Sequence, residues 1–256
     1  MSTRIARNPA NDDILFAHSL LGSEFHANVA SNAVISECAR ELVYTWADFE
    51  AELNSIPIVQ QIENGNVTLD EYKKLLKNFR AQVIDGSAWI TRAASSFDAA
   101  DPLMGMVRQR LIQHAAQESA DYTMLEADYL SCGGQPQEIQ TQAQNIATLA
   151  FSSFMFWQAS QPNPLHIFGA QFIIEGMGKV KASHWAKKIQ TSLGLTEKQT
   201  TFLSYHGEAD QQHFGAGIKM LMMLPAFTES VAKKLVRTAK ATAMLYAAQI
   251  RHLDDI

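Results

Sequence analysis

Hydrophobic residues recur along nearly the whole chain with the three-to-four-residue spacing of amphipathic helices. No run of β-branched residues alternates with polar residues as a half-buried strand would. Two capping boxes mark helix starts: Thr68-x-x-Glu71, which follows Gly65, and Thr196-x-x-Gln199. The pattern therefore predicts an all-α fold.

Glycine and proline punctuation divides this pattern into helices whose bounds are defined to within a few residues. The chain contains no internal repeat, low-complexity tract or evident domain linker. We expect a single domain over residues 1–256, a bundle of about seven to nine helices with a core over about 31–223, an N-terminal extension over 1–30 and a C-terminal helix. The predicted helices lie near residues 13–25, 31–54, 56–64, 69–97, 102–131, 136–159, 164–193, 197–223 and 228–253.

Polar residues interrupt an apolar stripe on the predicted helix 197–223. At about 100° per residue, His206, Asp210 and His213 project to one side of this helix. Phe202 and Met220 lie on the same side, so the stripe should face the core. Buried histidines and carboxylates are costly unless they are hydrogen-bonded, paired or bound to a metal.

The predicted helix 102–131 repeats this arrangement. His114, Glu118 and Asp121 follow i, i+4, i+7 spacing and share a face with apolar residues such as Leu111 and Leu125. A third helix contributes Glu175, within an apolar stretch.

Each of these residues also has an ordinary structural interpretation. An isolated core histidine is more often hydrogen-bonded than metal-bound, and Glu175 could form an i, i+4 ion pair with Lys179. Three helices that each bring such residues to a core-facing stripe favour a metal site, because helix bundles build metal sites in this way.

The residue types indicate which metal the site would bind. A ligand set of carboxylates and imidazoles without cysteine suits iron or manganese and disfavours a structural zinc site. Seven candidate ligands exceed the usual requirement of one ion, so we expect two.

The composition excludes some classes of protein. The chain is 47% hydrophobic and 18% charged, and its net charge of −5 argues against binding to nucleic acid or an anionic membrane surface. Its longest apolar run, near 145–157, is too short to span a bilayer, and the N-terminus lacks a signal-peptide pattern. Cys38 and Cys132 form no metal or redox motif, so we expect a cytoplasmic protein.

Three segments resemble the heme-oxygenase-like di-iron oxidases and oxygenases, relatives of thiaminase II and pyrroloquinoline-quinone synthase. IPIVQQIENGNVTLDEYKKLLKNF is similar to the opening helix pair of that superfamily, and NPLHIFGAQFIIEG is similar to the segment with its central glutamate. HGEADQQH matches its late His-x-x-x-Asp-x-x-His motif. The resemblance extends from about residue 56 to residue 213.

The resemblance implies a compact, often homodimeric helical bundle that binds two Fe(II) ions and uses O₂ on a small molecule. It assigns Glu175, His206, Asp210 and His213 as metal ligands. The substrate range of the family favours an amino-acid-like or amine substrate. In the first ligand helix the family has a glutamate followed by a histidine, whereas Asp121 stands in the place of that histidine here. Its partner is either Glu118 or His114.

Three other functions fit an all-α bundle. A thiaminase-II-like aminopyrimidine hydrolase would need an activated cysteine in the pocket, and neither cysteine lies in a recognisable setting. A heme oxygenase would need an axial histidine such as His18 or His26. A non-catalytic binding protein would use the buried polar residues only as a hydrogen-bond network.

Overall fold

The structure is a computed structural model that describes residues 32–214 and 216–255, without the side chains of residues 211–213 and 216. The predicted helix 13–25 and the alternative heme ligands His18 and His26 lie outside these residues, as does the side chain of His213.

All regular secondary structure in the described residues is helical, which confirms the predicted all-α fold. The helices are α1 (Ala33–Asn54), α2 (Pro57–Asn64), α3 (Leu69–Val83), α4 (Gly86–Ser95), α5 (Pro102–Gln117), α6 (Tyr122–Ser131), α7 (Pro136–Gln140), α8 (Ile146–Ala159), α9 (Phe168–Met177), α10 (Ser183–Leu193), α11 (Thr201–His213), α12 (Ala216–Met222) and α13 (Glu229–Arg251). Short 3₁₀ turns span Glu118–Ala120, Leu165–Ile167 and Glu197–Gln199, and a π-helical segment spans Gly178–Ala182. No helix within residues 32–214 or 216–255 is long and apolar enough to cross a membrane.

Helix ends follow the local sequence signals. Thr68 and Glu71 form the predicted capping box at the start of α3, and Thr196 forms the second one with Gln199. The α2 helix ends at Gly65, which has φ 72°, a left-handed conformation that glycine adopts without a steric penalty. These signals were predictable because they depend on contacts within one turn.

Several predicted helices are interrupted. The predicted helix 69–97 ends at Val83 and resumes at Gly86, and the predicted helix 136–159 is broken between Gln140 and Ile146. The predicted helices 102–131 and 164–193 contain the 3₁₀ turn Glu118–Ala120 and the π segment. Periodicity alone missed these breaks, because apolar residues recur on both sides of each break.

The C-terminal helix α13 packs along α1, α8 and α9 at the centre of the bundle. A Cβ at Gly169 in α9 would overlap the backbone carbonyl of Leu235 in α13, so glycine permits the close approach of these two helices. Edge-on aromatic contacts of Tyr246 with Phe49 and Phe151 join α13 to α1 and α8. This core supports the inner wall of the polar site described next.

Candidate metal centre

The first two candidate ligands lie where α5 gives way to α6. Glu118 is the C-cap of α5 and begins the 3₁₀ turn, and Asp121 is the N-cap of α6. The predicted placement of both on one continuous α-helix is therefore wrong. The tighter turn instead leaves both carboxylates facing α11, where ligand atoms of Glu118, Asp121 and His206 all lie within 4.8 Å of one another.

The imidazole of His206 is held by its own helix. Its Nδ1 lies 3.0 Å from the carbonyl oxygen of Phe202, one turn earlier, and its Nε2 lies 3.2 Å from Oδ2 of Asp121. A hydrogen bond donated by Nδ1 to a backbone carbonyl leaves Nε2 to act as a ligand, as is usual for metal-bound histidine. Burial lowers the pKa of His206, but Asp121, Asp210 and Glu118 outweigh it and the net shift is upward.

A glycine in the π segment makes room for Asp210. A Cβ at Gly178 would overlap Oδ2 of Asp210, and a Cβ at Gly207 would overlap Ser183. The π segment and the first residue of α10 thus each approach α11 closely, and the carboxylate of Asp210 lies directly against the backbone of the π segment. Single π turns within α-helices are frequently associated with functional sites.

Glu175 approaches the same region from α9. Burial, together with the negative charges of Asp210 and Glu118, raises its pKa well above the usual value, and Arg110 opposes this shift. No ion pair joins Glu175 to Lys179 among the described residues; the Nζ of Lys179 lies 4.8 Å from the centroid of the Phe214 ring.

The carboxylates of this cluster oppose one another's ionisation. Burial and the charge of Asp121 raise the pKa of Glu118 to about 7. Burial also raises the pKa of Asp210 to about 7, against the attraction of His206. A cation placed among these carboxylates would favour their charged forms and would therefore lower both pKa values.

A cavity of about 90 Å³ lies on the inner side of the cluster. Its polar walls are formed by the predicted residues His114, Glu118, Glu175, His206 and Asp210. A surface depression of about 420 Å³, which includes Tyr205 and Glu208, lies on the outer side. Glu118, His206 and Asp210 line both spaces, so the cluster separates the cavity from the surface.

Six of the seven predicted site residues are therefore brought together from three regions of the chain. The Nε2 of His114 lies 3.7 Å from Oε1 of Glu118. The side chain of His213 lies outside the described residues, so its assignment stays a prediction.

Sequence analysis missed three polar residues near the cluster: Arg110, Gln171 and Tyr246. Arg110 acts electrostatically on Glu175, while Gln171 and Tyr246 line the cavity. A glutamine within the apolar stretch of α9 was a usable signal. Tyr246 in α13 gave no such signal, because its apolar sequence neighbours are typical of any core tyrosine.

The donor set fits a bound cation. The carboxylates of Glu175 and Asp210 accept no hydrogen bond from a described residue, although both are enclosed by the bundle. Carboxylates only accept hydrogen bonds, and a buried carboxylate without a partner is costly. Oxygen and imidazole ligands without sulfur suit iron or manganese.

A family model described as "Iron-containing redox enzyme" matches residues 105–247, more than half of the chain and all of the cluster. No curated protein matches the chain in sequence.

Solved structures show the same fold at low sequence identity. A domain of unknown function with a heme oxygenase-like fold from Shewanella denitrificans OS217 superposes with a TM-score of 0.73 at 17% identity, over 82% of this chain and 88% of that one. A TenA homolog from Pseudomonas syringae pv. tomato str. DC3000 gives 0.70 at 12% identity, over 86% and 93% of the two chains. A TenA homologue from P. horikoshii OT3 gives 0.64 at 14% identity, over 86% and 97%. The predicted heme-oxygenase-like fold and superfamily resemblance are confirmed.

Proposed function

Because this chain belongs to the family of iron-containing redox enzymes, we propose that its carboxylate cluster binds iron and that the iron uses O₂ to oxidise a small molecule. We define the carboxylate cluster as Glu118, Asp121, Glu175, His206 and Asp210. The observation that supports the proposal most strongly is the convergence of four carboxylates and one oriented imidazole beside a cavity.

Glu118, Asp121 and His206 would hold one ion, because their ligand atoms already lie together. Glu175 and Asp210, with His114 and His213 as further candidates, would hold a second. Four carboxylates supply four negative charges, which balance two Fe(II) ions. We therefore propose two irons per chain, with manganese as the alternative metal.

The protein's part in the chemistry follows from its own side chains. The Phe202 carbonyl fixes the orientation of His206, and Gly178 allows Asp210 to approach the centre. The cavity would hold the substrate away from bulk water. Bound iron would supply O₂ binding and the capacity to transfer electrons. Carboxylate and imidazole side chains provide neither.

The similarity to TenA homologues makes a thiaminase-II-like hydrolase the main alternative, and the positions of both cysteines argue against it. Neither lines the cavity. Cys38 lines a separate groove between α1 and α13, where burial raises its pKa to about 12. Burial also raises the pKa of Cys132 to about 11. Neither thiol is activated as a nucleophile should be.

The test is an anaerobic titration of metal-free protein with Fe(II), followed by rapid mixing with O₂ while absorbance is recorded. We expect about two irons per chain and a transient visible band after mixing. Uptake of iron with no O₂ consumption would indicate an inert metalloprotein. A chain that takes up no iron would exclude the proposal and favour a non-catalytic binding protein.

A further inference from the structure

Two buried polar side chains line the cavity and have no hydrogen-bond partner among the described residues. Gln171 on α9 is 6% exposed and Tyr246 on α13 is 7% exposed, and both line the cavity. Neither the Gln171 amide nor the Tyr246 hydroxyl forms a hydrogen bond with any other described residue. Burial of such groups is unfavourable unless a partner satisfies them, and the cavity that both residues line is where a ligand can supply that partner.

Gln82, a third polar residue of the cavity wall, provides the contrast. Its Oε1 accepts a hydrogen bond from Nε2 of Gln249 at 3.1 Å. Gln82 is therefore anchored to the protein behind it. Gln171 and Tyr246 have no such anchor, although they are buried to the same degree.

The charge of the cavity wall restricts what these groups can bind. No lysine or arginine is among the described residues that line the cavity, so a substrate carboxylate or phosphate would find no cationic side chain there. A substrate ammonium would compete with metal for the carboxylates. An uncharged polar group meets neither obstacle.

The rest of the wall is apolar and aromatic. Phe79, Trp89, Trp185 and Phe202 contribute rings, and Ile90 and Ile174 contribute aliphatic surface. These surfaces favour a hydrocarbon part of a ligand. The volume of about 90 Å³ limits the enclosed part of a ligand to a small group.

We propose that Gln171 and Tyr246 bind an uncharged group of the substrate that both donates and accepts hydrogen bonds, such as a primary amide, attached to a short hydrocarbon segment. The inference rests on the proposed function, because it takes the ligand to be the substrate that the enzyme oxidises. Binding of the ligand in the cavity does not itself require iron. It narrows the expected amino-acid-like or amine class to substrates that place an uncharged polar group, not a charged end, in the cavity.

The test uses isobutyramide, isobutyrate and isobutylammonium, which share a branched skeleton and differ in charge. Isobutyramide is titrated into the metal-free protein, and all three into protein loaded anaerobically with Fe(II). Binding is followed by ligand-detected NMR and by the fluorescence of Trp89 and Trp185, which line the cavity. We expect isobutyramide to bind in both forms, and at least about tenfold more tightly than either charged probe in the iron form.

Two variants identify the groups responsible. Gln171→Leu and Tyr246→Phe should each weaken isobutyramide binding by about tenfold, while Gln109→Leu on the exposed face of α5 should not change it. Thermal unfolding of each variant checks the fold, and the two substitutions provide independent tests on different helices.

Equal binding of isobutyrate and isobutyramide, or isobutyramide binding that neither variant weakens, would overturn the inference, as would the absence of isobutyramide binding in both forms. A protein that takes up no iron but still binds isobutyramide through Gln171 and Tyr246 would contradict the proposed oxidase function and support this binding site. The two failures are thus distinguishable.

Discussion

Two buried polar clusters in this protein differ in how their hydrogen-bonding groups are satisfied. The first, here called the amide cluster, consists of Asn78, Gln82, Asn145, Thr148 and Gln249. Within it, the Asn145 amide donates to the carbonyls of Gln249 at 3.0 Å and His252 at 2.9 Å. Its oxygen accepts from the Thr148 backbone N–H at 2.7 Å. Donors and acceptors are closely matched.

The carboxylate cluster lacks this balance. Its histidine is hydrogen-bonded to its own helix and contacts Asp121, but Glu175 and Asp210 accept no hydrogen bond from a described residue. Amides can satisfy one another because each donates and accepts, whereas carboxylates can only accept. The comparison indicates that the side chains of the amide cluster satisfy one another and that the carboxylate cluster fits a bound cation.

The largest expected effect comes from breaking the amide cluster. Asn145→Ala removes contacts to Asn78, Gln249, His252 and Thr148, leaving buried groups unsatisfied. We expect a loss of about 3–5 kcal/mol in the free energy of unfolding, measured by urea denaturation. The exposed control Gln137→Ala should change it by less than about 0.5 kcal/mol. A loss below about 1 kcal/mol for Asn145→Ala would mean that the amide cluster contributes little.

The reciprocal experiment removes a ligand from the carboxylate cluster. His206→Ala should weaken Fe(II) binding at least about 100-fold, or about 2.7 kcal/mol, while the helical circular dichroism spectrum is retained. The matched control is His184→Ala, since His184 pairs with Glu63 at 2.7 Å and its side chain is 49% exposed, away from the cavity. Ala substitutions of Asp210 and Glu175 should likewise abolish iron loading. Full loading in all three variants would show that the proposed ligand set is wrong.

The sequence predicted what depends on a single helix. The polar stripe of α11, with His206 and Asp210, could be recognised because the helix is regular over those residues. The capping box of Thr68 and Glu71 could be recognised because both partners lie within one turn.

What the sequence did not predict depends on tertiary contacts. The 3₁₀ turn at Glu118 and the π segment at Gly178 change helix pitch by amounts too small to alter the hydrophobic periodicity. The overlap that a Cβ at Gly178 would have with Asp210 depends on how α11 crosses the π segment. Tyr246 reaches the cavity only because α13 packs at the centre of the bundle.

The pH dependence of metal-free stability gives a third test. The pKa of Glu118 is raised from 4.5 to about 7 and that of Asp210 from 3.8 to about 7, so the folded state retains protons that the unfolded state has released. The stability contribution is therefore fully present below about pH 4 and is lost as pH rises to about 7. We expect the free energy of unfolding to fall by about 2 kcal/mol between pH 5 and pH 8, allowing for coupling and partial solvation.

Urea denaturation at a series of pH values measures this effect, with the double variant Glu118→Gln, Asp210→Asn as control. Carboxylates with a lowered pKa, such as Glu71 and Glu138, titrate below this window and do not obscure it. A wild-type stability that rises from pH 5 to pH 8 would contradict the expected repulsion. Saturating Fe(II) should reverse the sign of the slope, because metal binds the deprotonated ligands.

The substitution with the smallest expected effect on stability tests the difference between the two clusters most directly. Glu175→Gln replaces a carboxyl group whose pKa burial and the negative charges of Asp210 and Glu118 raise with an amide that carries no charge and can donate hydrogen bonds. It makes one member of the carboxylate cluster resemble the amide cluster. We expect the metal-free variant to be about 1–2 kcal/mol more stable than wild type at pH 8 and nearly equal to it at pH 4, where the unfolded Glu175 is itself largely protonated. The same variant should bind Fe(II) more weakly. Greater stability without metal combined with weaker metal binding is expected only if the carboxylate cluster is arranged for a cation; loss of both properties would instead indicate that Glu175 has a purely structural role.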